Sequence, residues 1–239
     1  MKTATSRLLK WLLLTLLIIA AILYRPWEYL PAAWNPWEPL SITHQMNPVT
    51  RWKLAQLNQA PQDCVAVLET APAGLVDYLV LEDDTPVQGC PLSNVVRVSS
   101  SGVGFSSAFT VTCPMLVAWV MFEQQQLQPL ALEHLGSEVN QVEHFGSFAC
   151  RNVYHRENAR RSQHASANAF DVAAFRLDNG DQVSVLGDWD TTQAPAKSSF
   201  LKALHEAACG YFGTVLGPDY NQPHANHFHL EASGFGFCR

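Results

Sequence analysis

The sequence predicts an α+β domain, in which helices pack on an antiparallel sheet, preceded by one N-terminal transmembrane helix. Two apolar helical stretches lie among short strands separated by turn residues, and no regular β-α-β alternation occurs. At 239 residues, 48% of them hydrophobic, the chain can bury one ample core. We therefore expect a membrane anchor over 1–25, a Pro- and Trp-rich stalk with a short helix over 26–60, and a folded domain over 61–239.

The N-terminal segment combines a basic start with an apolar body. Lys2, Arg7 and Lys10 precede an uncharged run over residues 11–24. If Leu8 and Leu9 count and the Lys10 side chain reaches out to the polar surface, the run extends to about 17 residues. It is then at the short limit for a membrane-spanning helix, and it also suits the apolar core of a signal peptide. The lack of a well-placed small-x-small cleavage site, together with the Trp and Tyr residues that follow, favours an uncleaved anchor. Because positive charges lead the run, the rest of the chain is expected outside the cytoplasm.

A short helix is predicted after Asn47, and residues 64–110 have the alternating pattern of strands and loops. The first long helix begins at Thr112, a good N-cap, and continues or kinks at Pro129 before it stops at Gly136.

A second helix is predicted from Ser199 to Gly210 or Gly213, where glycine favours termination. The remaining apolar segments alternate as strands do, over 139–150, 169–175 and 182–186.

All six cysteines lie after the anchor, at Cys64, Cys90, Cys113, Cys150, Cys209 and Cys238. An even set in an exported domain predicts three disulfides, for which 15 pairings exist. Zinc binding by these thiolates is the alternative, but the paired C-x-x-C spacing that such sites use is absent.

The exported part of the chain is acidic. Residues 26–239 contain 11 Lys and Arg against 21 Asp and Glu, a formal net charge of −10. This balance argues against a nucleic-acid partner. Arg151, Arg160 and Arg161 can nevertheless meet a substrate carboxylate locally, although a structural salt bridge is the ordinary role for such residues.

A histidine cluster near the C-terminus is the strongest chemical signal. Three of the nine histidines lie in one run over 224–229. If the run is a strand, His227 and His229 face the same way, and two imidazoles sharing a small volume favour a metal ion between them. The plainer interpretation is a polar loop whose histidines hydrogen-bond the backbone.

A zinc site that cleaves bonds typically has three protein ligands. His164 and Asp171 stand seven residues apart, and Asp171 lies in an apolar stretch where an unpaired carboxylate is costly. They are the best further ligand candidates, the plainer alternative being a surface histidine and a hydrogen-bonded aspartate.

Several motifs in one order resemble the bacterial extensin-like C-terminal domain family over about residues 64–239. They are Thr112-Cys113-Pro114, Gly146-Ser147-Phe148-Ala149-Cys150-Arg151-Asn152, the runs 161–175 and 213–221, the histidine cluster and Phe237-Cys238-Arg239. That family is similar to the metallopeptidase group of lysostaphin, the D-Ala-D-Ala carboxypeptidases and the penicillin-insensitive murein endopeptidase. The resemblance implies a D-Ala-D-Ala metallopeptidase/hedgehog-like fold and a Zn²⁺ cofactor.

By this resemblance His164, Asp171 and His229 are the zinc ligands. His227 is implied to be the general acid and base, its plainer role being a hydrogen-bonding partner of the site. His224 is implied to flank the substrate.

Further roles follow at the edge of the site. Arg151, like His224, is a candidate to contact the substrate or its oxyanion. Tyr220 and Asn221, with Asp188 and Trp189, are implied to form the cleft wall. The other histidines are interpreted as surface or structural residues, namely His44, His134, His144, His155 and His205.

Three positions depart from the family pattern. Gln163 replaces a usual Glu, Asn226 replaces a usual Asp, and Glu231 stands where Asp is common. Each is beside a site residue, so the groups that orient the ligands are expected to differ.

The expected function is that of a zinc-dependent peptidoglycan peptidase, anchored in the inner membrane as a single-pass protein with its C-terminal domain in the periplasm. It would cut stem peptides or cross-links and so open the wall for an envelope-spanning secretion complex. Two alternatives remain, namely a zinc-containing wall-binding module without turnover and a scaffold protein of an envelope complex.

Overall fold

The computed structural model describes residues 2–234 and 236–239. The chain begins with helix α1, Lys2–Tyr24. Across the described residues, no helix is both long and apolar enough to cross a membrane, so the transmembrane helix predicted over 1–25 is not found. The reason lies in the first ten positions, which are largely polar or charged. The uninterrupted apolar part, 11–24, then measures only about 21 Å along a helix, against about 30 Å for a bilayer's hydrocarbon core.

The second half of the Pro- and Trp-rich segment packs on the folded domain. Leu40 and Ile42 are buried in the main core. The side-chain amide of Gln125 donates a hydrogen bond to the His44 carbonyl oxygen at 2.9 Å. These contacts fix where the segment enters the domain.

Two helices open the domain. Helix α2, Pro48–Gln56, starts after Asn47 as predicted, because the Asn47 side-chain oxygen accepts two N–H groups of the first turn at 2.8 and 3.0 Å. Helix α3, Pro61–Leu68, occupies a stretch for which strands and loops were predicted. Cys64 and Leu68 lie one turn apart on its buried face, a helical spacing within that stretch.

The central helix is buried on all sides. Every residue of α4, Cys113–Phe122, is buried, which explains why it is apolar all round. A π-helical turn, Glu123–Leu127, leads into α5, Gln128–Leu135. The predicted stop at Gly136 is confirmed, with glycine in the left-handed region at φ 68°. The helix continues through Pro129 in the first turn of α5, one of the two outcomes predicted there, and the irregularity is the π-helical turn before it.

Two helix boundaries differ from the predictions. Helix α6, Val185–Asp188, takes residues predicted to continue a strand, because the Ser184 hydroxyl caps it by accepting the Gly187 N–H at 3.0 Å. Helix α7, Pro195–Ala208, begins before the predicted cap at Ser199, since proline suits a first helical turn.

The strands in chain order are β1 Asp77–Val80, β2 Asp84–Val87, β3 Cys90–Leu92, β4 Val95–Ser100, β5 Gly104–Thr112, β6 Val139–Gly146, β7 Ala169–Leu177, β8 Gln182–Ser184, β9 Thr214–Leu216, β10 Phe228–Glu231 and β11 Phe237–Cys238. Within the described chain, nine of them form one sheet in the order β1-β4-β5-β6-β7-β10-β9-β11, with β8 beside β7. Strands β2 and β3 form a separate hairpin.

The fold is of the predicted α+β class, but the sheet is not wholly antiparallel. Strand β6 is parallel to β5, and β11 is parallel to β9. The first of these pairings needs a long crossover, which α4 and α5 provide. The predicted antiparallel sheet is thus corrected to a mixed one.

Strand β7 separates the core from the site. Phe170 and Val172 are buried, and the Phe170 ring packs edge-on against Trp119 of α4 with centroids 5.4 Å apart. Because side chains alternate along a strand, Asp171 between them faces the opposite side of the sheet.

Three disulfides use all six cysteines, as predicted. They join Cys64 to Cys113, Cys90 to Cys150, and Cys209 to Cys238. The first ties α3 to the start of α4, and the second ties the β2–β3 hairpin to the segment that leads into the histidine site.

Candidate metal centre

Asp171 and His229 come from neighbouring strands. They are register partners of the antiparallel pair β7 and β10, and Asp171 Oδ1 is 2.8 Å from His229 Nδ1. His227 directly precedes β10 and, two positions from His229, faces the same side, as the alternation predicted. Its Nε2 lies 3.6 Å from Asp171 Oδ1.

His164 completes the group from a 3-10 turn, Gln163–Ser166, just before β7. Its Nε2 lies 3.1 Å from Asp171 Oδ2 and 3.2 Å from His229 Nδ1. His164 is 3% exposed, so water does not separate it from its partners. The three residues predicted as ligands therefore meet, each offering one donor atom to the same small volume.

Each of the two histidine rings is oriented by a hydrogen bond from the ring nitrogen that faces away from Asp171. His164 Nδ1 lies 3.0 Å from the Ser147 carbonyl oxygen, to which it must donate its proton. His229 Nε2 lies 3.0 Å from Glu231 Oε1 and donates in the same way. The inner nitrogens, His164 Nε2 and His229 Nδ1, then face each other and the Asp171 carboxylate. Two ring nitrogens and a carboxylate at these distances favour positive charge between them, carried either by a proton or by a metal ion.

The electrostatics also favour positive charge at this point. Burial alone would raise the pKa of the Asp171 carboxyl, but its hydrogen bonds with His164 and His229 hold that pKa well below its ordinary value. Burial disfavours the charged form of His229, yet its hydrogen bonds with Asp171 and Glu231 raise the pKa to about 9. The surroundings of His229 therefore stabilise positive charge.

Two further histidines line the site in neutral form. Burial lowers the pKa of His227, while the Asp171 charge opposes the change. Burial and the neighbouring His229 and His227 lower the pKa of His224 to about 4. The His224, His227 and His229 rings also bring ligand atoms within 4.8 Å of one another, so His229 belongs to two candidate ligand sets.

The site forms the floor of a cleft of about 530 Å³. Arg151, Arg160, Tyr220 and His224 line its walls with Asp171, His227 and His229. Asn221 supports the wall from behind, since its side-chain oxygen is 2.6 Å from His224 Nδ1 and its Nδ2 donates to the Tyr154 hydroxyl at 2.8 Å.

Two predicted wall residues lie elsewhere. The Asp188 carboxylate accepts the Ser184 backbone N–H at 2.8 Å, and the buried Trp189 donates from Nε1 to Asp219 at 3.0 Å. Asp188 and Trp189 therefore stabilise α6 and its surroundings and do not form the cleft wall.

The model of the family described as the extensin-like protein C-terminus matches residues 62–239, and this range contains every residue of the site. The chain belongs to this family. No curated protein and no solved structure matches it.

The three departures from the family pattern lie around the candidate metal centre of this extensin-like domain. Gln163 lines the cleft, and its side-chain oxygen accepts a hydrogen bond from Asn168 at 3.2 Å. Asn226 Oδ1 is 2.9 Å from His227 Nδ1. Glu231 reaches His229 directly, so a carboxylate still orients that ligand.

Sequence reasoning missed several groups of the extensin-like site. The Ser147 carbonyl that orients His164 is a backbone atom and gives no side-chain signal. Tyr154 and His155 line the cleft on a loop where both adopt positive φ, 53° and 57°. His155 had been interpreted as a surface or structural residue, and no periodicity marks such a loop.

Proposed function

We propose that this chain is a zinc-dependent peptidase that hydrolyses peptide bonds of peptidoglycan in the periplasm. The observation that carries the proposal is the convergence of His164 Nε2, Asp171 Oδ and His229 Nδ1, three atoms that can all bind one metal ion once it displaces the protons between them.

The donor set fits zinc. Two imidazoles and one carboxylate are ligands that catalytic zinc sites commonly use, whereas magnesium and calcium prefer oxygen donors. The Ser147 carbonyl and the Glu231 carboxylate orient the two imidazoles, as partners of zinc-binding histidines usually do. Zinc bound here would supply Lewis acidity and would acidify a water molecule.

His227 is suited to act as the base. Its Nδ1 donates to the Asn226 side-chain oxygen, so the Nε2 lone pair faces the site, 3.6 Å from Asp171. An imidazole held in this tautomer can take a proton from a water above Asp171 and pass it to a leaving amine.

Arg151 and His224 have different tasks. His224 Nδ1 donates to Asn221, so its Nε2 offers a lone pair rather than a proton to a bound peptide. The half-buried Arg151 carries a permanent charge on the same wall, and it forms no ion pair with another described side chain. Arg151 is therefore the donor for the negative charge that develops on the carbonyl oxygen.

The family membership and the three disulfides support the proposed substrate and compartment. Disulfides persist outside the cytoplasm, where peptidoglycan lies. We further propose the D-Ala-D-Ala metallopeptidase/hedgehog-like likeness for the fold, and attachment at the inner membrane through the N-terminal segment. Recruitment by an envelope-spanning secretion complex would then open the wall locally.

One observation favours a second function, that of a zinc-containing wall-binding module without turnover. Asn226, in place of a usual Asp, is the acceptor for His227 Nδ1. A neutral amide stabilises the imidazolium less than a carboxylate does, and this weakens His227 as a base.

Digestion of purified peptidoglycan separates the two functions. The full-length chain, loaded with zinc, is incubated with insoluble wall; released fragments are identified by chromatography and mass spectrometry, and bound protein is measured by sedimentation. Peptide fragments bearing new amine ends support the peptidase. Sedimentation without release supports the binding module. If the chain neither releases fragments nor sediments with the wall, the cleft has no role on peptidoglycan. The Asn226→Asp variant should cleave faster if the chain is a peptidase.

A further inference from the structure

Arg160 lies where the cleft meets a second groove. The groove has a volume of about 780 Å³ and is lined by Thr214, Ser233 and Phe237 on its far side. Five residues line both cavities, namely Arg160, Gln163, Leu216, Tyr220 and Glu231. A ligand that extends from the candidate metal centre into the groove passes between these side chains, and Arg160 is the cation among them.

The backbone around Arg160 holds this cation in place. The Val153 N–H donates to the Arg160 carbonyl oxygen at 3.0 Å, and Asn152 and Arg161 form an antiparallel bridge across the same loop. The Arg160 side chain itself is exposed. Its charge is thus presented at the boundary by a loop with fixed ends.

The guanidinium is exposed to an anionic ligand. Among the residues that the structure describes, no carboxylate lies within ion-pair distance of Arg160. Glu231 lines the same groove, near enough for the Arg160 charge to act on its carboxylate, but it is 8% exposed and its Oε1 accepts from His229. Residues 26–239 carry a net charge of −10, so an anionic ligand is repelled elsewhere and attracted at the few cationic positions.

We propose that Arg160 binds a carboxylate of the substrate, so that the preferred substrate is an acidic peptide whose charge lies on the groove side of the bond above the metal centre. A guanidinium matches a carboxylate with two parallel hydrogen bonds, which fixes orientation as well as position. The inference rests on the proposed peptidase function and adds a specificity determinant to it. Arg151 lies beside the reacting groups, whereas Arg160 sets which end of the peptide enters the groove.

Binding is the test, because it needs no turnover. The probe is a tetrapeptide isolated from peptidoglycan stems, together with derivatives in which one carboxylate at a time is converted to the amide. Titration calorimetry measures their affinity for the full-length chain after treatment with a chelator, which prevents hydrolysis. Wild type is compared with Arg160→Ala, Arg160→Lys and the control Arg156→Ala. Arg156 is on the same loop, stacks over the Tyr154 ring at 5.6 Å and lines neither cavity.

Amidation of one carboxylate should weaken binding to wild type about three- to tenfold, as expected for an exposed charge-assisted pair. The same amidation should not change the affinity of Arg160→Ala for the peptide. It should weaken binding to Arg160→Lys by an intermediate factor and binding to Arg156→Ala by the full factor. No binding of the parent peptide, equal affinities of wild type for all derivatives, or discrimination retained by Arg160→Ala would each overturn the proposal. Cleavage of the wall without carboxylate-dependent binding rejects Arg160 alone, whereas carboxylate-dependent binding without cleavage rejects the proposed reaction alone.

Discussion

Asp171 and His229 face each other as register partners on β7 and β10, with Oδ1 and Nδ1 2.8 Å apart. Two adjacent strands of one sheet cannot separate without breaking their ladder, so this pair is held before any ion arrives. His164 joins it from the turn that enters β7, where Ser147 orients its ring. The candidate metal centre is therefore built from the sheet itself, and its geometry depends on the groups that orient the two imidazoles.

Substitution of Glu231 tests that dependence. Glu231→Ala removes the acceptor of His229 Nε2, so the imidazole loses its fixed tautomer and orientation. Zinc affinity, measured by competition with a chromogenic chelator, should fall about 10- to 100-fold. Glu231→Gln keeps an acceptor but not the charge, so its zinc affinity should lie between those of wild type and Glu231→Ala. Glu133→Ala, on the exposed face of α5, is the control and should match wild type. Unchanged affinity in Glu231→Ala would contradict the orienting role.

The sequence predicted the site better than it predicted the cleft. The two-residue period placed His227 and His229 on one face, and an isolated carboxylate in the apolar run 169–175 marked Asp171. Both signals are local, because strand alternation and the cost of a buried charge act within a few residues. His164 was a further ligand candidate from its spacing to Asp171, and the resemblance to the family implied the same residue.

Long-range features were not predictable in this way. The parallel pairing of β5 and β6 depends on how α4 and α5 fold back, a relationship without a sequence period. Ser147 acts through its backbone carbonyl, which is the same in every residue. The groove next to Arg160 joins segments about 50 to 75 positions apart in the chain, so only the folded structure reveals it.

The six cysteines should all be oxidised in the exported protein. Denatured, unreduced protein should take up no thiol reagent, and reduced protein should take up six equivalents per chain. Replacing both Cys64 and Cys113 by Ser should lower the free energy of unfolding by about 2 to 5 kcal/mol, measured in urea, because the bond restrains a long loop of the unfolded chain. Labelling of two or more sites without reduction would contradict the three disulfides.

Buried Glu123 should make stability depend on pH. Burial raises the pKa of its carboxyl above the ordinary value, although Ser101 and Trp119 donate hydrogen bonds to it. The folded state then holds the proton more tightly than the unfolded state, so stability is lost as pH rises from the unfolded pKa through the folded pKa. Relative to Glu123→Gln, the wild-type free energy of unfolding should fall over this window and stay constant above it.

Urea denaturation of both proteins at several values between about pH 4 and 8 measures this difference. Glu133→Gln, on the exposed face of α5, is the control and should follow wild type at every pH. If the free energy of unfolding changed with pH in the same way for wild type and Glu123→Gln, the pKa of the Glu123 carboxyl would be the same in the folded and unfolded states.

The N-terminal segment should remain in the mature protein, because no small-x-small pattern precedes Arg25 at a suitable place. Mass spectrometry of the isolated protein should find residues 1–25 intact. A variant with Ile22→Ala and Tyr24→Ala carries a small-x-small site and should be shortened, which shows that the export machinery acts on the segment. A wild-type N-terminus beyond Arg25 would contradict retention.

Two histidine substitutions separate metal binding from proton transfer. His229→Ala removes one of three ligands and leaves two protein groups, too few for tight zinc binding, so it should lose both zinc and wall cleavage. His227→Ala leaves His164, Asp171 and His229 in place and should keep near-stoichiometric zinc. Its turnover should nevertheless fall about 10²- to 10⁴-fold, because general-base assistance is lost.

Elemental analysis and wall cleavage should be measured on both variants after circular dichroism has shown that each is folded. His134→Ala, in the last turn of α5 and outside the cleft, is the control and should match wild type in both. Loss of zinc from His227→Ala would make His227 a ligand, favour the set of His224, His227 and His229, and leave the base unassigned. Normal cleavage by zinc-loaded His227→Ala would instead remove His227 from the reaction, and His224, the other neutral imidazole facing the cleft, would be the next base to test.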